Sequence, residues 1–186
     1  MIEAILSDMD GTLIDTEVAN ASAYCEAISQ YGVKIAIDDF YKLYNGMSWK
    51  VFLPIILPNA SHGEHKAIAE LKKNLYSTFF SKTKIYPGVL DFLTHSKQFT
   101  PVGLVTTASR QAVQELLHYH NLDKFFDVVI SGDDVKNAKP HAEPYLIAAN
   151  ALGVNIRNCI VLEDSQVGID SATSAKANVF IVKHEK

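Results

Sequence analysis

The chain has 186 residues, of which 48% are hydrophobic and 20% charged, with a formal net charge of −4. That is ordinary globular composition, long enough for one good core with an insertion. The acidic balance argues against a nucleic-acid footprint. The scattered Lys and Arg leave no polybasic membrane patch. No apolar stretch approaches the ~20 residues that span a bilayer, and Glu3 breaks the basic start of a secretory leader. Cys25 and Cys159 lie far apart with no CxxC and read as small core residues in a reducing compartment. The expectation is a cytoplasmic protein with no membrane and no nucleic acid among its partners.

In chain order, short apolar runs alternate with helical patterns. Candidate strands are Ala4 to Ser7, Val102 to Thr106, Val128 to Ser131, Ile160 to Leu162 and Val179 to Val182. Pro87 stands at a first-turn position ahead of Val89, Leu90 and Leu93. Ser109 is placed to cap a helix carrying Val113, Leu116 and Leu117. Pro144 opens another helix, which Gly153 closes. The alternation predicts an α/β fold with a parallel sheet. Between 16 and 84 the pattern is helical instead. Val18 to Tyr31 is Ala-rich and ends at Gly32, Asp38 or Asp39 caps a short helix through Tyr44, and Glu64 to Phe80 has helical spacing. Pro54 and Pro58 punctuate the middle. Residues 1–15 and 85–186 are therefore expected to form the α/β core domain, and 16–84 an inserted helical cap domain. Ligands bind at the carboxyl ends of parallel strands, so an insertion there is expected to act as a lid.

The chemistry is read at those strand ends. Ile5-Leu6-Ser7-Asp8-Met9-Asp10-Gly11-Thr12 runs an apolar strand into two carboxylates spaced i, i+2. In a continuing strand they would face opposite sides; a break, which Gly11 permits, lets them converge. Converging acids need a proton or a cation, and a hard divalent metal beside a carboxylate nucleophile resolves this. A solvated turn is the alternative for this string alone. Thr106, with Thr107 and the helix start at Ser109, offers a hydroxyl and free N–H groups suited to phosphate. Lys139, held beside Pro140, offers a point charge, or is a surface turn. Glu163 and Asp164 end another buried strand, as site acids or as a solvated helix cap. All four features fall at strand C-termini and together supply what phosphoryl transfer needs.

These motifs, in this order, resemble the haloacid dehalogenase-like superfamily of phosphohydrolases. Asp8-x-Asp10-Gly11-Thr12 is similar to its first motif, Thr106 to its second, Lys139-Pro140 to its third and Glu163-Asp164 to its fourth. Phe40 to Gly46, Tyr86-Pro87-Gly88 and Glu163-Asp164-Ser165-x-x-Gly168 resemble the beta-phosphoglucomutase and phosphoglycolate phosphatase branch. The resemblance implies a Rossmann-like core with an α-helical cap. It also implies Asp8 as nucleophile forming an aspartyl-phosphate, and Asp10 as general acid and then base, its carbonyl also on the metal. Asp8, Asp10 and Asp164 would hold Mg²⁺, with Glu163 in direct or indirect support. Thr106, Thr107 and Lys139 would hold the phosphoryl oxygens. The second aspartate favours phosphoryl over dehalogenation chemistry.

Three departures qualify the resemblance. Ser7 stands where Phe is usual. Asn20 and Trp49 stand where the mutase branch carries His and Arg, and Trp cannot replace a bidentate Arg clamp. Lys50, Lys72 or Lys73 are the candidates to compensate. Trp49 reads either as a substrate-facing aromatic or as cap packing. The chain stops at Lys186, where relatives usually continue, so the sheet edge or one helical face is expected to be thinly covered. His62 and His65 have no third ligand nearby and read as surface histidines. The expected function is Mg²⁺-dependent hydrolysis of a small phosphorylated metabolite by a monomer or weak dimer. The alternatives are a phosphosugar mutase and an idle phosphometabolite-binding protein.

Overall fold

The structure, a computed structural model, describes residues 1–44 and 47–184. Asn45 and Gly46, the end of the Phe40-to-Gly46 resemblance, lie outside the described residues. The elements run β1 (Ala4–Ser7), β2 (Ile14–Asp15), α1 (Glu17–Ser29), α2 (Ile37–Tyr44), α3 (Trp49–Ile56) and α4 (His62–Tyr76). There follow β3 (Lys84–Ile85), α5 (Pro87–Ser96), β4 (Val102–Val105), α6 (Arg110–Tyr119), β5 (Val128–Ile130) and α7 (Glu143–Ala151). The chain ends in β6 (Cys159–Glu163), α8 (Gln166–Ser174) and β7 (Asn178–Ile181). Short 3₁₀ turns occupy Ser77–Lys82, Gly132–Asp134 and Ile156–Asn158. Among the described residues no helix is long and apolar enough to cross a membrane.

The chain divides into two compact units, Met1–Asp15 with Ile85–Lys186, and Thr16–Lys84. The first is an α/β core around a five-stranded sheet of order β5-β4-β1-β6-β7. Every pairing in it is parallel. The central strand β1 is buried along its length, as a strand covered on both faces must be. Leu6 pairs with Gly103 on one side and with Val161 on the other. Gly103 leaves room there for the Leu6 and Val128 side chains, on whose methyl groups a Cβ would press. α7 packs on β1, β4 and β5, and α8 on β6 and β7. Tyr145, Leu6, Val105 and Val161 belong to the apolar cluster that results. The helix starts follow local chemistry. Pro87 occupies the first turn of α5, Ser109 Oγ accepts the Ala112 N–H, and Ser165 Oγ accepts the Gly168 N–H. Chain order reverses about β1, with β4 and β5 on one side and β6 and β7 on the other. In parallel sheets that reversal opens a crevice at the strand carboxyl ends.

The second unit is helical. Phe40, Phe52, Leu53 and Ile68 form its core with Ala21, Ala27 and Ile28. α3 was not expected, since Pro54 lies inside it. A proline interior to a helix removes one hydrogen bond, but Ser48 caps this two-turn helix and it buries Phe52 and Leu53. The expectation for His65 is corrected: it is buried, facing inward one turn before Ile68 and Ala69, with Nε2 at 3.0 Å from the Leu57 carbonyl. His62 is exposed, as expected. Cys159 is buried, whereas Cys25 is only half-buried.

Candidate active site

The core brings Asp8, Asp10, Thr106, Lys139, Glu163 and Asp164 to one end of the sheet, Glu163 as the last residue of β6 and the others just past a strand or on the loop that follows it. Ser7, at the end of β1, is buried and its hydroxyl donates to the Asp8 carbonyl at 2.7 Å. Here a small polar residue serves a backbone acceptor where an aromatic was the family expectation. The chain then turns sharply: Gly11 has φ of 86° and donates its N–H to the Ile14 carbonyl. Glycine is needed twice over at this position. That φ belongs to the left-handed region, and a Cβ would overlap the Asp164 carboxylate.

Lys139, which precedes a cis peptide bond to Pro140, is the hub. Its Nζ donates to Asp8 Oδ1 at 2.6 Å, to Glu163 Oε1 at 2.6 Å and to the Val105 carbonyl at 2.9 Å. An ammonium has three protons, and all three are committed within the protein. Its side chain is only 3% exposed. Burial opposes the charged form, yet Asp8 and Glu163 more than offset this and hold the Lys139 pKa above the ordinary lysine value. Glu163 is fully buried. Its Oε1 also accepts the Tyr145 hydroxyl at 2.6 Å, and its Oε2 accepts from Ser165 Oγ at 3.1 Å. A Cβ on Gly168 would overlap this carboxylate, so the glycine in Ser165-x-x-Gly168 makes room for it.

Two buried carboxylates thus share one ammonium, leaving one negative charge uncompensated. Burial pushes the Asp8 pKa up from 3.8 to about 8; Lys139 works against this, while Glu163 and Asp10 reinforce it. Asp164 stands on the more open side, its Oδ1 accepting Thr12 Oγ1 at 2.7 Å. Partial desolvation raises its pKa as well, against the Thr12 bond. One oxygen from each of Asp8, Glu163 and Asp164 lies within 4.8 Å of the others. An oxygen-only set with excess negative charge suits a hard divalent cation. The Asp10 carboxylate is not part of that trio; its Oδ2 accepts Thr106 Oγ1 at 3.2 Å. Thr106 is buried and its Oγ1 also takes the Ala108 N–H, while Thr107 is exposed.

The other two sequence candidates lie in the helical unit. Asn20 donates to Thr16 Oγ1 and accepts Lys72 Nζ at 2.5 Å. Trp49 is partly buried against the helical core, with the His62 ring 5.8 Å away. Sequence reasoning gave no role to Thr12, although it stood inside the first motif. It missed Tyr145 altogether, because nothing local marks an α7 tyrosine as the partner of a β6 glutamate.

The family model of haloacid dehalogenase-like hydrolases matches residues 5–182, and the chain belongs to that family. It is 33% identical over 180 residues to a phosphorylated carbohydrates phosphatase of Thermotoga maritima, covering 94% of this chain and 82% of the relative. It is 31% identical over 174 residues to a fructose-1-phosphate phosphatase of Escherichia coli, covering 92% and 91%. Among solved structures, a HAD hydrolase of family IA, variant 3, from Entamoeba histolytica superposes with a TM-score of 0.83 at 34% identity, over 96% of this chain and 82% of that one. The beta-phosphoglucomutase of Clostridium difficile superposes at 0.79 with 30% identity, over 99% and 86%. The expected class, a phosphoric monoester hydrolase of this family, agrees with the names these phosphatase relatives carry.

Proposed function

We propose that the protein is a Mg²⁺-dependent phosphatase of a small phosphate monoester, a sugar phosphate in the first instance, working through an aspartyl-phosphate. The observation that carries this is the close trio of Asp8, Glu163 and Asp164, the first two buried and the third exposed, with a single ammonium shared by the buried pair. Both oxygens of Glu163 already have protein partners. We therefore assign the cation to Asp8 and Asp164, with the Asp10 carbonyl, and Glu163 to fixing Lys139. When bound, Mg²⁺ supplies positive charge to the clustered acids and to the phosphoryl oxygens.

Asp8 Oδ1 is committed to Lys139, so we assign the attack on phosphorus to Oδ2. The new O–P bond forms as the ester P–O bond breaks, and Asp10 delivers a proton to the leaving alkoxide. Asp10 then takes a proton from the water that attacks the phosphoaspartate, which releases phosphate and restores Asp8. Thr106 donates its one hydroxyl proton to Asp10 and orients it, turning to a phosphoryl oxygen only by releasing that bond, while Thr107 and the neighbouring N–H groups offer further donors. Lys139 contacts the phosphoryl group only by giving up one of its three present partners, so its first task is to hold Asp8. The helical unit acts in the same proposal as the cap, with Asn20 and Trp49 contributing to substrate choice, in a cytoplasmic monomer or weak dimer.

Hydrolysis of p-nitrophenyl phosphate tests this. Removing metal with EDTA is expected to lower the rate by at least about a hundredfold, and added Mg²⁺ to restore it. An undiminished rate in EDTA would contradict the reading. The mutase alternative predicts glucose 6-phosphate, and no free phosphate, from beta-glucose 1-phosphate.

A further inference from the structure

We propose that His184, clamped on Tyr86, is a positioning residue that holds the acid loop in its metal-binding shape. After β7 the Val182 N–H donates to the Glu163 carbonyl, which directs the following residues back over the site end of the sheet. The His184 ring lies flat on the Tyr86 ring, with centroids 3.3 Å apart and planes 7° from parallel. From there His184 Nε2 is 3.0 Å from the Thr12 carbonyl; a carbonyl only accepts, so Nε2 carries the donating proton. The backbone N–H of Tyr86 donates to the next carbonyl, Leu13, at 2.9 Å. The stacked pair therefore grips two consecutive carbonyls of the loop that carries Asp10 and Gly11. The same Thr12 uses its side chain to fix Asp164 Oδ1. The path from His184 to the acids is two hydrogen bonds long, and Tyr86 sets the ring plane that makes the first possible. His184 also acts on Asp164 electrostatically, but its hydrogen bond reaches the acids through the placement of Thr12. Partners of this indirect kind tune metal affinity.

This inference rests on the Mg²⁺ reading above, and calorimetric titration of Mg²⁺ into the metal-free full chain separates the two. His184→Ala is expected to weaken Mg²⁺ binding about tenfold. His184→Phe keeps a ring for Tyr86 but has no donor, and should weaken binding by a similar factor while melting close to the wild type. His184→Gln places an amide N–H near the position of Nε2 and should recover most of the affinity. At saturating Mg²⁺ the KM for p-nitrophenyl phosphate should stay unchanged in all three, which a general loosening of the fold would not preserve. Wild-type affinity in His184→Phe would overturn the positioning role and leave the Mg²⁺ reading standing. Absence of Mg²⁺ binding by the wild type would overturn both.

Discussion

Asp8→Asn is expected to lower turnover by about 10³-fold or more and, in the metal-free protein at neutral pH, to raise the melting temperature. In the proposed mechanism the first effect follows from the loss of the attacking carboxylate: a neutral amide is no substitute for a carboxylate nucleophile. The second follows from where Asp8 sits. Its charge is buried beside Glu163 and Asp10, with Lys139 only partly compensating. The folded chain keeps a proton on Asp8 up to about pH 8, whereas the unfolded chain releases it near 3.8. The contribution of this group to stability is thus fully present below the lower value and is lost as pH rises toward the upper one. Asparagine has the same shape, can still accept from Lys139 and has nothing to titrate. Melting curves in EDTA from pH 4 to 8 should fall more steeply for the wild type than for Asp8→Asn. Parallel curves would mean that Asp8 is not strained by burial.

Lys139→Met should do the opposite to stability. It removes the shared cation from beneath two buried carboxylates, Asp8 and Glu163, and leaves the Val105 carbonyl without its donor. Breaking a buried ion pair from one side costs about 3–5 kcal/mol, a large share of the stability of an ordinary domain. Urea unfolding of the metal-free variant measures it. Activity should be lost as well, because Asp8 would no longer be oriented. Excess Mg²⁺ is expected to recover part of the stability and little of the activity. A variant as stable as the wild type without metal would show that the trio is not held by Lys139.

Much of this arrangement was legible in the residues, for identifiable reasons. The bounds of β1 were read as Ala4 to Ser7 and are the same in the structure, because a buried apolar run ending in acids has little freedom of assignment. Pro87, Ser109 and Gly153 marked helix ends through chemistry local to the backbone. Five parallel strands and the convergence of Asp8, Thr106, Lys139 and Glu163 at their ends followed from the β-α alternation. What escaped was set by tertiary contacts. Pro54 argued against α3, which forms because Phe52 and Leu53 bury there. His65 looked like a surface residue until its position on the inner face of α4 was fixed. Tyr145 and His184 act on Glu163 and Thr12 across 18 and 172 positions of sequence, which no local spacing rule connects. The second unit was legible as helical, but the Asn20–Lys72 contact and the packing of Trp49 on the helical core are tertiary and carry no local mark in the sequence.

The most direct test of the central claim is acid-quenching the enzyme during turnover of a phosphate ester with Mg²⁺, followed by peptide mass spectrometry. One added phosphoryl group on the peptide carrying Asp8, absent in Asp8→Asn, is the predicted result. Undiminished turnover by Asp8→Asn, or a phosphoryl group trapped on any other residue, would contradict it.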